Sequence, residues 1–151
     1  MNEAASRGIR TLPDDELREL LRDIRTIAVV GLSSKSWRDS HSVAAYLQHV
    51  GYRIVPVNPK ETEVLGERAY PTLAEVPEEI AVDVVDVFRR AEYTPEIAEA
   101  AVARGAKVLW LQEGIANDDA RQIGEAGGLS VVMGVCMRQE SRRLEGSERE
   151  T

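Results

Sequence analysis

Short apolar runs that alternate with helical patterns are the feature that most constrains the fold of this chain. Five of them begin roughly every 25 residues: TIAVV (26–30), YRIVPV (52–57), AVDVVDVF (81–88), KVLWLQ (107–112) and LSVVMGV (129–135). Near-continuous apolar strands separated by helices are typical of a parallel sheet that is covered on both faces. We therefore predict an α/β fold, a doubly wound five-stranded parallel sheet of the Rossmann-like type with helices on both faces. Right-handed crossovers favour the strand order 3-2-1-4-5.

The helical segments between the runs have recognisable starts and stops. Apolar residues at helical spacing predict a helix over 13–24, and a second helix over 40–50 ends at Gly51. Thr94 before Pro95 is a typical helix start, and that helix ends at Gly105. Asn117 is the predicted cap of the last helix before the fifth strand.

Length and composition indicate one soluble domain. Of the 151 residues, we expect 1–11 to form a disordered N-terminus, 12–144 a single domain and 145–151 a disordered tail. The net charge of −7 argues against nucleic acid as a partner, and no apolar run is long enough for a membrane helix. Cys136 is the single cysteine, so an internal disulfide is excluded and a cytoplasmic location is expected.

Candidate ligand residues follow the strands, because a doubly wound sheet binds ligands outside the carboxyl ends of its strands, near the switch point. The candidates are Gly31, Ser33, Ser34, Lys35, Ser36, Asn58, Pro59, Lys60, Phe88, Arg89, Gln112, Glu113 and Cys136.

The loop after the first strand has the pattern of an anion site. A glycine, a small polar loop and then a helix present backbone N–H groups to a phosphate. Only Gly31 of the dinucleotide-binding Gly-x-Gly-x-x-Gly pattern is present, since Ser33 and Ser36 occupy the other two positions, and no Walker sequence occurs. Lys35 and Arg38 add positive charge nearby and favour phosphate binding. The alternative is that Gly31 serves only the turn from strand to helix.

The second strand ends in Asn58-Pro59-Lys60, without the acid that usually binds the ribose hydroxyls of NAD. A lysine at this point suits a phosphate on the ribose instead. The alternative is a solvated lysine after a turn.

The remaining candidates leave two interpretations each. Phe88 either stacks on a ligand or closes the core, and Cys136 is either a buried thiol or a nucleophile. His41 and His49 are not obvious partners for it, and no cluster has metal-ligand spacing. The residues identify no catalytic acid, base or nucleophile, so they favour a binding protein over an enzyme.

Several longer motifs carry a resemblance to a known family. These are IAVVGLSSKSWRDSHSVAAYLQHVGYRIVPVNPK, VDVVDVFRR, VLWLQEGI and GVCMRQESRRL. Together they resemble the small stand-alone CoA-binding proteins, which are similar to the CoA-binding domain of the succinyl-CoA synthetase alpha subunit. The resemblance covers residues 13–144 and implies that coenzyme A is held at the strand ends.

The resemblance also implies roles for individual residues. The loop from Ser33 to Ser36 would contact the phosphates, and Pro59 and Lys60 would flank the nucleotide. Phe88 and Arg89 would line the groove, Gln112 and Glu113 would approach the pantetheine, and Cys136 would lie near the thiol. The synthetase's domain with a phosphorylated histidine has no counterpart here, so ligation by this chain alone is not expected.

The sequence therefore predicts a protein that binds CoA or an acyl-CoA without evident catalytic machinery. One alternative is an NAD(P)-binding, oxidoreductase-like domain. Another is a regulatory or assembly protein with a vestigial nucleotide cleft. A homodimer or a partner enzyme subunit is compatible with the residues, which do not specify the acyl group.

Overall fold

The structure, a computed structural model, describes the backbone of residues 8–150 and the side chains of residues 8–145. Within this part of the chain, helices and strands alternate as predicted. In chain order the elements are α1 (Asp14–Asp23), β1 (Thr26–Val30), α2 (Asp39–His49), β2 (Arg53–Val57), β3 (Glu63–Val64), β4 (Glu67–Arg68), a 3-10 turn (Leu73–Glu75), β5 (Val84–Val87), a second 3-10 turn (Ala91–Tyr93), α3 (Thr94–Arg104), β6 (Val108–Leu111), α4 (Asp118–Ala126), β7 (Ser130–Met133) and α5 (Met137–Glu150).

The five long strands form one parallel sheet that separates two apolar cores. One core lies between the sheet and helices α1, α2 and α5, with Leu17, Leu47 and Met137 packed against it. The other lies under α3 and α4, where Ala98 and Ala120 are buried. The predicted doubly wound five-stranded parallel sheet is therefore confirmed.

The strand order differs from the predicted 3-2-1-4-5. The sheet runs β2-β1-β5-β6-β7, which is 2-1-3-4-5 when the five long strands are numbered alone. The third long strand, β5, pairs with β1 rather than with β2. This is the other common doubly wound order, and it moves the switch point to the crevice between β1 and β5.

Pro56 is one physical reason against the predicted order. Proline has no N–H, so a strand that contains it is confined to the edge of a sheet, with that position facing outward. In the structure β2 is an edge strand. The carbonyl of Pro56 faces away from β1 and accepts a hydrogen bond from the N–H of Tyr70 at 3.0 Å. The predicted order placed this strand between two neighbours, where the missing N–H would interrupt a ladder.

The main differences from the predicted boundaries lie at three places. The third long strand, predicted over 81–88, spans only Val84–Val87. Residues 60–80 include the short antiparallel pair β3 and β4, which the pattern did not predict. Thr94 does not cap α3 through its side chain; its hydroxyl donates to the carbonyl of Ala91 at 2.6 Å, because a 3-10 turn precedes the helix. Asn117 does cap α4, accepting from the N–H of Ala120 at 2.9 Å.

The predicted domain limits lie partly outside the described residues. Residues 1–7 of the N-terminal segment and Thr151 of the tail are outside them, as are the side chains of residues 146–150. Within them, Arg10 exchanges two backbone hydrogen bonds with Met133 on the outer edge of β7, at 2.9 and 2.8 Å. The single domain over 12–144 stays a prediction. No helix among the described residues is long and apolar enough to cross a membrane.

Candidate functional site

The crevice between β1 and β5 brings the ends of two strands into close contact at Gly31. This glycine has a φ of +90°, and a Cβ at this position would lie 2.6 Å from the carbonyl oxygen of Phe88. A side chain at Gly31 would therefore meet backbone that cannot move aside. Glycine at this position lets the chain leave β1 and open a loop above the sheet.

That loop, residues 31–38, is folded by hydrogen bonds to serine hydroxyls of the loop itself and of α2. The N–H of Ser33 donates to the hydroxyl of Ser40 at 3.1 Å, and the N–H of Lys35 donates to the hydroxyl of Ser33 at 3.0 Å. The N–H of Arg38 then donates to the carbonyl of Lys35 at 3.0 Å, closing a turn directly before α2. The loop is thus held against the N-terminal end of a helix, where backbone dipoles favour a negative charge.

Asn58 fixes the opposite wall. Its side-chain amide donates to the carbonyl of Leu32 at 3.0 Å, and its side-chain oxygen accepts from the N–H of Lys60 at 3.0 Å. The N–H of Glu61 donates to the carbonyl of Asn58 at 3.2 Å. Asn58 therefore joins the two loops and sets the turn that carries Lys60 and Glu61.

Between these walls lies a groove of about 780 Å³. Three of its side chains are cationic, two are acidic, and Trp37 is 76% exposed at the tip of the loop, with its ring 5.9 Å from the Lys35 Nζ. We call this cavity the polar groove. Its lining residues are Gly31, Ser33, Ser34, Lys35, Trp37, Arg38, Asp39, Ser40, Asn58, Lys60, Glu61 and Phe88.

Glu61 makes a polar contact across the polar groove with Ser34. Its carboxylate accepts hydrogen bonds from both the N–H and the hydroxyl of Ser34. These bonds, from the hydroxyl first, lower the pKa of the Glu61 carboxyl, and the charge of Lys35 adds to the effect. The acid is therefore an anion at neutral pH and lies on the loop that the sequence predicts to bind phosphate.

A second, apolar pocket of about 240 Å³ lies at the same strand ends, where it is lined by residues next in sequence to those of the polar groove. Val30, Val57, Pro59 and Arg89 line the pocket together with Tyr93 and residues of α3. The guanidinium of Arg89 lies 4.7 Å from the centre of the Tyr93 ring. An apolar wall beside stacked planar groups suits a flat ring.

The predicted site residues fall into three groups. Seven line the polar groove (Gly31, Ser33, Ser34, Lys35, Asn58, Lys60 and Phe88), and two line the apolar pocket (Pro59 and Arg89). Four lie outside both cavities (Ser36, Gln112, Glu113 and Cys136). Most candidates from the first three strand ends therefore line a cavity, whereas no candidate from the last two strand ends does.

Gln112 lies outside because it serves a buried acid. Asp86 is fully buried in the central strand β5, and its Oδ1 accepts from the Gln112 side-chain amide at 2.5 Å. Its Oδ2 has no hydrogen-bond partner among the described residues. Burial, opposed by the bond from Gln112, raises the pKa of Asp86 to about 7.

Asp83, the other acid of this apolar run, lies at the opposite end of the strand. It accepts from the N–H groups of Arg25 and Thr26 at 2.8 and 3.0 Å, and Lys107 lies 3.6 Å away. Burial alone would raise its pKa, but these donors together lower it. Asp83 therefore joins β1, β5 and β6 at the edge remote from the groove.

Cys136 is 6% exposed and packs in the apolar core beside α5. In the described part of the chain, no group of three or more His, Cys, Asp or Glu side chains could hold a metal ion. His41 has a structural contact, with its Nδ1 2.9 Å from the carbonyl oxygen of Ser33. These side chains support the loop and the core.

Comparison with known proteins decides the family. The sequence profile described as a CoA binding domain matches residues 25–142, which include both walls of the polar groove. The chain belongs to the CoA-binding domain family. The resemblance inferred from the motifs is thereby confirmed.

Relatives of two kinds share this CoA-binding domain. An uncharacterized protein of Bacillus subtilis, YneT, is 42% identical over 123 residues, covering 82% of this chain and 90% of the relative. A hypothetical protein of Pyrococcus horikoshii has a solved structure with a TM-score of 0.85 and 41% identity, covering 89% of this chain and 94% of that one. An ADP-forming acetate–CoA ligase of Archaeoglobus fulgidus is 28% identical over 99 residues, which are 64% of this chain and only 14% of the ligase.

Sequence reasoning missed four residues that line the polar groove of this CoA-binding domain: Trp37, Asp39, Ser40 and Glu61. Trp37 carried a signal, because a tryptophan in a polar turn has no core to enter. Glu61 also carried a signal, because it is an acid directly after Lys60, close to the strand end where dinucleotide-binding folds usually have one. Its contact with Ser34 joins residues 27 positions apart, and local patterns do not predict such a contact.

Proposed function

We propose that this protein binds coenzyme A or an acyl-CoA in the polar groove and the apolar pocket at the same strand ends. The observation that carries the proposal is that a serine-rich loop, three cationic side chains and an apolar pocket all lie at the same edge of the sheet. Coenzyme A has matching parts: a diphosphate, a phosphorylated ribose, a flat base and a long, mostly apolar arm. Family membership supports the same ligand.

Each part of the ligand is assigned by chemistry. The diphosphate lies on the loop from Ser33 to Ser36, beside the helix N-terminus, with Lys35 and Arg38 as counter-charges. Lys60, across the groove, contacts the ribose phosphate. Arg89 and the pocket beside it hold the base.

The pantetheine side is the less defined half of the proposal. Phe88 lines the polar groove and offers an apolar surface to the arm. Glu113 is exposed and stays a candidate contact, whereas Gln112 and Cys136 are buried outside both cavities and are not assigned a ligand contact. We assign no chemical step to any of these residues.

Calorimetric titration tests the ligand class. We expect CoA and acetyl-CoA to bind with a Kd in about the micromolar range, and NAD, NADP and ATP to bind at least about tenfold more weakly. NADP is the informative competitor, because Lys60 also suits a 2′-phosphate. Binding of NADP without binding of CoA would overturn the proposal in favour of the NAD(P) alternative. Absence of all nucleotide binding would favour a regulatory protein with a vestigial cleft.

Location and assembly complete the proposal. A single thiol, buried in the core, suits a reducing compartment, and we propose the cytoplasm. A homodimer through the sheet edges is disfavoured at two points, because Tyr70 covers part of β2 and Arg10 covers part of β7. A partner enzyme subunit is the other assembly compatible with the chain.

A further inference from the structure

The loop of residues 31–38, which we propose to bind phosphate, already holds an anionic side chain of the same protein. Glu61 reaches across the polar groove and accepts from the N–H and hydroxyl of Ser34. Ser34 is an exposed residue in the middle of the loop, so these are the donors that an incoming phosphate would meet. The other loop N–H groups of Ser33 and Lys35 are bonded to serine hydroxyls.

A carboxylate and a phosphate oxygen compete for the same donors. Both accept charge-assisted hydrogen bonds from N–H and O–H groups, and both are attracted to Lys35. Two anions cannot share the donors of Ser34, because their charges repel at hydrogen-bond distance. A bound phosphate at this place therefore requires the Glu61 carboxylate to leave.

The construction of the opposite wall permits that exchange. The backbone of Glu61 is held by the turn from Asn58, whose own side chain is tied to Leu32. The side chain of Glu61, in contrast, lies in the open groove and is partly exposed. A rotation of its side chain can therefore vacate Ser34 while the turn and Lys60 stay in place.

We propose that Glu61 is an internal competitor that occupies the phosphate loop of the free protein and is displaced by the diphosphate of the ligand. The inference rests on the proposed function, because it concerns the same groove. It makes Glu61 a residue that determines specificity. A group with two or more charges can replace the carboxylate and gain contacts with Lys35 and Arg38, whereas a single carboxylate or a neutral ligand gains little.

Three variants test the competition. Glu61→Gln keeps the shape and removes the charge, and Glu61→Ala empties the contact. Asp39→Asn is the matched control, because Asp39 is an acid of the same groove at the start of α2. It removes the same charge without vacating Ser34.

The measurement is calorimetric titration of the wild type and the three variants with CoA and, separately, with inorganic pyrophosphate. Both Glu61 variants should bind either probe about fivefold more tightly than the wild type, and Asp39→Asn less than about twofold more tightly. In a parallel NMR titration, the Ser34 amide resonance should shift on Glu61→Ala substitution and shift again on adding pyrophosphate. Thermal unfolding of each variant verifies that it is folded.

The outcomes separate this inference from the proposed ligand. Weaker binding in Glu61→Gln would make Glu61 a direct ligand contact, such as a ribose acceptor, and would overturn the competition. Equal gains in Glu61→Gln and Asp39→Asn would reduce it to general electrostatics. If pyrophosphate binds Glu61→Gln more tightly while CoA binds none of the proteins, the inference stands and the CoA proposal fails. If neither probe binds, both fail.

Discussion

Glycine is required at position 31 for two reasons, because the backbone there has a positive φ and because there is no room for a side chain. Alanine there would need a left-handed φ and would also place its Cβ 2.6 Å from the Phe88 carbonyl oxygen. We expect Gly31→Ala to lower the free energy of unfolding by about 3 kcal/mol or more, measured by urea denaturation. Gly105 is the control, because it has a φ of +77° and a Cβ there would meet no atom within 4 Å. Gly105→Ala should cost only about 1–2 kcal/mol. Equal losses would show that the close approach at Gly31 relaxes freely.

Lys60 is the residue on which the ribose-phosphate assignment depends. Its backbone N–H is held by Asn58, so its position does not depend on its own side chain. Lys60→Ala should weaken CoA by about tenfold and dephospho-CoA by less than about twofold in calorimetric titrations, since only CoA has the extra phosphate. Equal losses for both ligands would place the ribose phosphate elsewhere.

Strand β5 contains one buried titratable group, Asp86, which is hydrogen-bonded to the Gln112 amide just after β6. The pKa of Asp86 is raised to about 7, mainly by burial, from an ordinary value of 3.8. The folded protein therefore holds this proton more strongly than the unfolded chain. Its contribution to stability is complete below the unfolded pKa and is lost as pH rises through about 7. Asp86→Asn removes this loss, because the amide does not ionise.

The test is urea unfolding of the wild type and Asp86→Asn over a pH series. From about pH 5 to about pH 8, the free energy of unfolding of the variant should gain about 2–3 kcal/mol relative to the wild type. Asp83→Asn is the control, because the pKa of Asp83 is lowered and its titration lies below this window. Its difference from the wild type should stay constant over the series. A constant difference for Asp86→Asn as well would contradict the raised pKa.

The position of strand β2 at the edge of the sheet was predictable from the sequence, although the predicted strand order missed it. The apolar run of β2, which follows the helix stop at Gly51, was sufficient to predict the strand. Its place in the sheet also had a local signal, because Pro56 cannot donate in a ladder. The predicted order relied on fold analogy and gave that proline less weight. The crossover that carries β5 past β1 is decided by tertiary packing.

For the whole molecule, a ligand that bridges both cavities should stabilise the complete three-layer fold. The groove and pocket are built from the ends of β1, β2 and β5 and the starts of α2 and α3, so binding is linked to global unfolding. At about 100 times its Kd, CoA should raise the Tm by about 5–10 °C in a thermal-shift assay. NAD at the same concentration is the control and should raise the Tm by at most about half as much, because it is expected to bind at least about tenfold more weakly. Equal shifts with both nucleotides would show that the groove does not select CoA.

The sequence by itself determined the parallel α/β alternation, the ends of most helices, and part of the set of residues that line the groove at the first three strand ends. These follow from periodicity, from glycine and proline geometry and from the rule that strand ends meet at one edge, all of which act over a few neighbouring residues. Only the tertiary structure decided that β5 lies beside β1, that Gln112 turns inward to Asp86, and that Glu61 crosses the groove to Ser34. Each of these contacts joins distant parts of the chain, and its free energy depends on burial and charge around both partners. Such a contact becomes visible only when the folded chain brings the two side chains together.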